Sequence, residues 1–468
     1  TLLYFTACTS AFLLLLAFGP WFTADAQQHR CWAMLVYVSL LWATETFPLH
    51  VTALMVPLLV VVLRVMRDPT KNGLPLDSRQ STKAIFAAMF SPVIMLLLGG
   101  FTIAAALSKH NIARIIASWV LSKAGTQPRN VLLVSIFVAT FASMWISNVA
   151  APVLCFSLIQ PILRTLPLGS SYAQCLILGI ALASNVGGMA SPIASPQNII
   201  AINTMHPSPS WLQWFFVSLP ICVVSDMLIW LLLVLVYRPN RSTPNINQIR
   251  YTPQRLNPIQ IYICVIAGVT ILLWCVEAKL QWLFGDMGVI AILPLVLFFC
   301  HPAVLTKEDF NNFLWTVIIL AMGGIALGAA VESSGLLHVV AGQIDLAVRG
   351  MPLFLILCTV CGLILIVCTF ISHTVGSLII LPIVAEVGAH LPVPHARLLV
   401  MGSALMASGA MGLPVSGFPN MNAVMLEDSM GKRYLTTKDF FRVGIPASIV
   451  TYLVIVSIGF VLMYMLGF

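Results

Sequence analysis

Charge is the scarcest ingredient of this chain. Only 8% of its residues are Asp, Glu, Lys or Arg and 60% are hydrophobic, whereas soluble domains carry roughly 25% charged residues. That deficit excludes an ordinary water-soluble fold. Apolar stretches on the order of 20 residues recur from end to end, the signature of a polytopic helical membrane protein. The short alternating segments of a membrane barrel are missing. Paired cysteines are missing too. The 11 cysteines are scattered through apolar segments, and Cys358 and Cys361 form a C-x-x-C without a second pair, so neither metal nor redox chemistry is indicated. No cluster of His, Cys and carboxylates has zinc spacing, and no hydrolase serine motif or phosphate loop occurs. The net charge of +8 sits in loops between apolar segments, where it orients the chain in a bilayer rather than binding nucleic acid. The chain starts at Thr1 without a signal-peptide pattern, so we expect a native region ahead of it.

Read in order, the apolar segments are 2–22, then 31–47 and 51–66 as a pair broken at Pro48, then 84–107 after a polar loop at 68–80. Gly99-Gly100 in the last of these permits close helix approach. Residues 109–123 alternate basic and apolar side chains, as a helix lying in the interface does. Segment 131–166 is interrupted by Ser143, Ser147, Asn148 and Pro152, and segment 172–202 by the polar stretch 191–198. Segment 211–237 is clean, and 238–255, rich in Pro, Asn and Arg, divides the chain in two. The second half repeats the order. Spans at 259–276 and 289–299 precede 313–331 with Gly323-Gly324, and 336–348 is again interfacial. Segment 353–387 breaks at Ser372-His373-Thr374 and 398–425 at 412–420, before a last span at 441–466. Pieces match as well as order: Trp42 with Trp274, the two Gly-Gly pairs, Ser147 with Ser372, and Pro196-Gln197-Asn198 with Phe418-Pro419-Asn420. An odd number of crossings per repeat turns the second upside down relative to the first, the architecture of inverted-repeat secondary transporters. Basic loops favour a cytoplasmic N-terminus, although the loop at 64–83 votes the other way.

Non-helical backbone at bilayer depth is tolerated only where it lines a cavity or meets a ligand. We therefore read 141–152 and 368–377 as tips of two re-entrant hairpins that meet near the midplane. Each tip begins a half-helix whose free N–H groups and positive dipole suit an anion, while nearby carbonyls and hydroxyls suit a small cation. Asn148, Ser147, Ser372 and Thr374 supply neutral donors and acceptors, joined by Ser195 and Asn198 from one unwound segment and Ser416, Gly417 and Asn420 from the other. No Arg or Lys lies in any of the four breaks, so dipoles, neutral hydrogen bonds and co-bound cations would hold the anion. His373 is an ionisable group in an apolar hairpin and so a functional candidate, either as a ligand donor or as a proton carrier. Glu45, Asp226, Glu332 and Glu386 read as structural or gating partners.

In these residues the chain resembles the divalent anion/sodium symporter family (SLC13-type). Trp42-Ala-Thr-Glu-Thr-Phe-Pro48 with Thr52-Ala-Leu54 is similar to its early signature, the tips to its two Ser-Asn-Thr triplets, and Pro196-Gln197-Asn198 and Phe418-Pro419-Asn420 to its Pro-Pro-Asn turns. Val149, His373, Gly417 and Gln197 depart from the dicarboxylate carriers, and Cys368 stands where a hydroxyl residue is usual. The pattern as a whole resembles the fungal low-affinity phosphate transporters, in which a cytoplasmic SPX domain precedes the membrane region. The resemblance implies a homodimer whose protomers each hold a scaffold and a mobile part moving like an elevator. It implies substrate contacts from Ser147, Asn148, Val149, Ser195, Ser372, His373, Thr374, Gly417 and Phe418. Coupling cations would be held by Ser143, Ser147, Asn148 and Asn198 at one tip and by Cys368, Ser372 and Asn420 at the other.

The expectation is an all-α polytopic membrane transporter without a resident cofactor. Scaffold helices would occupy 1–127 and 257–350, hairpin and transport helices 128–237 and 351–468, and a cytoplasmic linker 238–256. The expected cargo is inorganic phosphate with sodium or a proton, across a fungal plasma membrane or the vacuolar membrane. A dicarboxylate or sulfate carrier is the alternative on this fold, and a membrane-embedded enzyme or receptor the alternative outside it.

Overall fold

Without water in a hydrocarbon layer, every backbone N–H and C=O must find a partner within the chain, and a helix does this locally. The computed structural model describes residues 2–17, 25–44, 46–67, 74–167, 169–243, 246, 255–336, 339, 350–391, 393–428 and 430–468. Among them every named element is a helix. In the first half these are α1 (Leu2–Ala17), α2 (Ala26–Ala43), α3 (Leu49–Val62), α4 (Ser78–Met89), α5 (Pro92–Lys109), α6 (Ile112–Ser122), α7 (Pro128–Trp145), α8 (Ala150–Leu163), α9 (Ser171–Gly188), α10 (Pro196–Thr204) and α11 (Trp211–Tyr237). The second half holds α12 (Pro258–Cys275), α13 (Met287–Phe299), α14 (Trp315–Ser333), α15 (Leu353–Phe370), α16 (His373–Ala389), α17 (Ala396–Gly409), α18 (Phe418–Val424) and α19 (Thr437–Met465), with short turns between. Seven helices among the described residues are long and apolar enough to cross a membrane. The chain is an integral membrane protein.

Two boundaries differ from the sequence reading. The polar tract expected to loop through Gln80 turns helical at Ser78, because the Asp77 carboxylate accepts the Gln80 N–H at 2.7 Å and caps α4. α3, expected to span, has 14 residues, about 21 Å at 1.5 Å per residue and short of the ~30 Å hydrocarbon layer. α13 is likewise a short helix, bent at Ala291. The interfacial segment expected at 336–348 falls outside the described residues except for Leu336 and Val339, as does Glu45. α6 packs Ile112, Ala117 and Leu121 inward and leaves Ile116 and Trp119 exposed.

The two halves grip each other reciprocally. A Cβ on Gly99 of α5 would stand 2.7 Å from the Ala291 Cβ of α13, and one on Gly323 of α14 would stand 2.5 Å from the Ala53 Cβ of α3. Each first glycine of a Gly-Gly pair thus lets its helix press against the short helix of the other half. The far ends of these helices are tied across in the same sense. Lys109 reaches Asp309 at 2.5 Å and His110 Nε2 donates to the Val304 carbonyl at 3.0 Å. The Ser333 hydroxyl accepts the Arg67 N–H at 3.1 Å, and Gln28 donates to the Gly335 carbonyl. Trp42 and Trp274 also repeat one hydrogen bond, each indole N–H meeting the first carbonyl of the next helix, Leu49 at 3.1 Å and Met287 at 3.2 Å. At the centre lie α9, buried from Tyr172 to Gly188 apart from Gln174, and α17, buried from Leu398 to Gly409. A helix apolar all round belongs in a core, and each of these two leads straight into an unwound segment.

Candidate functional site

The four interruptions foreseen in the sequence are present. α7 and α8 are joined by the turn 146–149, α15 and α16 by 371–372, α9 and α10 by 189–195, and α17 and α18 by 410–417. Pro196 and Pro419 sit in the first turn of α10 and α18, where a missing N–H costs nothing. One asparagine stitches each unwound segment. Asn198 donates to the Gly188 and Ser191 carbonyls, both at 2.8 Å, and Asn420 to the Met411 and Leu413 carbonyls at 3.0 and 2.9 Å. The first tip is pinned to its neighbour by the Asn148 N–H on the Ala194 carbonyl at 3.1 Å and by the Ser191 hydroxyl on the Met144 carbonyl at 2.7 Å. Ser147 holds φ at 146°, a backbone setting that favours glycine and persists only where its surroundings impose it.

Both tips and both unwound segments meet at a cavity of about 60 Å³. Asn148, Ser372, His373, Thr374, Gly417 and Phe418 line it, together with Pro196, Gln197, Ser416 and residues of α3 and α18. No charged residue is in that lining. Ser147, Val149 and Ser195 stand behind it, Ser195 giving its hydroxyl to the Gly188 carbonyl at 2.7 Å. Of the residues assigned to cations, Asn148 and Ser372 reach the cavity, while Ser143, Asn198, Cys368 and Asn420 are buried around it. Ser143 donates to the Ser184 carbonyl at 2.8 Å.

Three hydrogen bonds hold this arrangement across the halves, and they bring in Asn185, Ser408 and Asn422, which the sequence reading did not single out. Asn185 of α9 donates to Asn420 Oδ1 at 2.8 Å, Gln197 to the Ser408 hydroxyl at 2.7 Å, and Asn422 to the Val149 carbonyl at 3.1 Å. Asn185, Ser408 and Asn422 each interrupt an apolar helix face, the one signal that could have found them.

The chemistry divides by sign. α10 and α16 start at the cavity, and neither Ser195 nor Ser372 caps its helix with a side-chain hydrogen bond. Pro196 has no N–H and the Asn198 N–H goes to the Ser195 carbonyl at 3.2 Å, so the Gln197 N–H of α10 and the first N–H groups of α16 are the ones that can meet an anion. His373 Nε2 lies 2.9 Å from the Ala410 carbonyl and therefore carries the proton there. Its other ring nitrogen is an acceptor in the neutral ring. Gly417 is what lets this ring in, since a Cβ there would stand 2.7 Å from His373 Cε1 and 2.8 Å from Asn185 Oδ1. The amide oxygens of Asn148, Asn185, Gln197 and Asn198 are buried without a partner. Buried acceptors left open call for a ligand or a bridging group, and neutral oxygens suit a hard monovalent cation. No group of His, Cys, Asp or Glu that could hold a transition metal forms among the described residues. A larger cavity of about 570 Å³ begins farther along the same two helices, at Ile200 of α10 and Leu378 of α16, and runs past Glu332 and Glu386 against α14.

Residues 39–374, and again 285–466, match the family model described as citrate transporter, CitMHS. The chain belongs to the citrate transporter family. Within reach of that family, it is 44% identical over 438 residues to the inorganic phosphate transporter PHO87 of Saccharomyces cerevisiae, covering 93% of this chain and 47% of that protein. It is 46% identical over 441 residues to the low-affinity phosphate transporter PHO90 of the same yeast, covering 94% and 50%. The sodium-dependent dicarboxylate transporter SdcS of Staphylococcus saprophyticus is 26% identical over 464 residues, covering 92% and 85%. The chain spans about half the length of the two yeast relatives. Among solved structures, the YdaH transporter of Alcanivorax borkumensis superposes with a TM-score of 0.56 at 14% identity, over 90% of this chain and 98% of the other. These proteins are transporters, not enzymes.

Proposed function

We propose that this chain is the membrane part of a secondary active transporter that carries inorganic phosphate together with a sodium ion or a proton. The observation that carries the reading is the cavity shared by both tips. At about 60 Å³ it has room on the order of a few waters, which suits a compact oxyanion. Uncapped helix starts and neutral donors supply its positive potential, while the four open amide oxygens are the natural place for a coupling cation. The phosphate transporters named among the yeast relatives support the same substrate. The recurring helix order and the reciprocal contacts of the halves support an inverted repeat, with α1–α6 and α12–α14 as scaffold. Helices α7–α11 and α15–α19 would then move as an elevator, in a homodimer of a fungal plasma or vacuolar membrane.

The family description and SdcS favour a second reading, a carboxylate carrier on the same fold. Uptake of labelled phosphate into proteoliposomes, competed with succinate, citrate and sulfate, decides between them. We expect unlabelled phosphate to compete best, and uptake to require either a sodium gradient at fixed pH or a pH gradient without sodium. Strong competition by succinate or citrate would end the phosphate reading. Asn148→Ala should abolish uptake while the protein remains folded.

A further inference from the structure

Of the described acids within the apolar segments, Asp226 is the most enclosed. It lies in α11 with no exposed surface, and its Oδ2 stands 2.7 Å from the Thr140 hydroxyl of α7. The same hydroxyl stands 3.1 Å from the Ala183 carbonyl of α9. A threonine hydroxyl has one proton to give, yet here it faces two acceptors if the carboxyl is ionised. Asp226 Oδ1 has no hydrogen-bond partner. Among the described residues no Lys, Arg or His forms an ion pair with this carboxyl. The surrounding helices offer no compensation. Cys222, one turn earlier on α11, points its thiol at the Val186 carbonyl at 3.4 Å. α7 and α9 present the Thr140 hydroxyl and backbone. α19 packs on α11 along 440–465 and brings three titratable side chains. Arg442 stacks over Tyr237, three turns beyond Asp226, at 5.8 Å, the Tyr452 hydroxyl donates to the Cys358 carbonyl at 3.0 Å, and Tyr464 lies at the far end; none of them bonds the carboxyl. An ionised carboxyl would be an unpaired charge in hydrocarbon, the costliest group a membrane span can hold.

We propose that Asp226 is a proton-binding site. The carboxyl holds its proton at neutral pH on Oδ2 and donates it to Thr140 Oγ1, and the threonine donates its own proton on to the Ala183 carbonyl. This order gives each proton one acceptor and removes the conflict at Thr140. The relay joins α11, α7 and α9 just below the first tip. One turn along α7, Ser143 makes the next bond to α9, and Ser147 and Asn148 follow. Asp226 is therefore a positioning residue, and the proton it binds helps fix where the tip stands. The inference does not depend on which substrate the protein carries.

Infrared difference spectroscopy on the full chain in lipid reads this proton directly. Wild type minus Asp226→Asn should show a carboxylic acid C=O band at neutral pH that is unchanged on acidification. The variant should keep its unfolding temperature, because the amide donates to Thr140 as the acid does. Carboxylate bands in place of the acid band overturn the proposal. Thr140→Val supplies an independent arm by removing the acceptor. The acid band should then move to higher frequency, and an unmoved band overturns the relay. If Asp226→Asn cannot be purified, the Thr140→Val arm decides alone.

Discussion

Single residues at the cavity carry opposing demands of backbone and side chain. Ser147 pays for its place with a φ of 146°, a strain of about 1–3 kcal/mol, where glycine would sit at ease. Ser147→Gly and Ser147→Ala separate the two demands. We expect the glycine variant to unfold at a higher temperature than the alanine variant, and both to lose uptake if the hydroxyl serves a ligand. Full uptake in either would remove Ser147 from the binding machinery. Gly417→Ala pushes a methyl group into His373 and Asn185. Overpacking of this kind costs about 1–3 kcal/mol, so uptake should fall about tenfold or more, while expression stays near wild type. Unchanged uptake would show that the ring and amide have room to spare. The sequence marked Asn198 and Asn420, because Pro196-Gln197-Asn198 and Phe418-Pro419-Asn420 occupy matching places after the two unwound segments. Asn185, Gln197 and Asn422 escaped as bridging residues, since their partners lie 235, 211 and 273 positions away and no local pattern encodes such a bond. His373 stood out as polar at a tip, but only the carbonyl opposite it reveals which ring nitrogen is already spent.

Among the helices, the weak point is where a glycine of one half meets an alanine of the other. Gly323→Val forces side-chain atoms against Ala53 Cβ and its carbonyl, both within 2.6 Å of the added Cβ, and should sharply lower the yield of folded protein in size-exclusion chromatography. Gly268→Ala is the control, since nothing lies within 4 Å of its added Cβ, and its yield should equal wild type. Alanine also favours the helix over glycine, so an equal loss in both would mean that the contact with Ala53 is not the cause. The Gly-Gly pairs were visible in the sequence, as was the interruption of four long apolar segments. The end of α3, read at Met66 and found at Val62, was not. Hydropathy counts apolar residues and cannot see where a helix stops when its flanks remain apolar. The start of α4 was missed for a different reason, as one carboxylate at Asp77 outweighed a run of polar residues that read as loop.

The molecule as a whole is joined between the hairpin-bearing helices and the rest by a tryptophan pair. Trp211 at the start of α11 stacks on Trp274 at the end of α12, with ring centroids 4.4 Å apart and planes 16° from parallel. If α7–α11 slide as a body, this stack must part. Cysteines introduced together as Trp211→Cys and Trp274→Cys, then oxidised, should stop uptake, and reduction should restore it. Transport that continues through the cross-link would rule out movement at this seam. Overall architecture was largely readable because a bilayer leaves few solutions, but the pairing across halves was not, because it joins segments far apart in the chain. That pairing has a consequence for how the protein is made. Gly99 waits for Ala291, and Ala53 for Gly323, so α3 and α5 leave the ribosome long before the surfaces that cover them exist. Chains whose contacts are this distant assemble late and are exposed to misassembly in the interval. Until the second half is synthesised, Gly99 and Ala53 have no partner in the chain, and the lock closes only when Ala291 and Gly323 arrive.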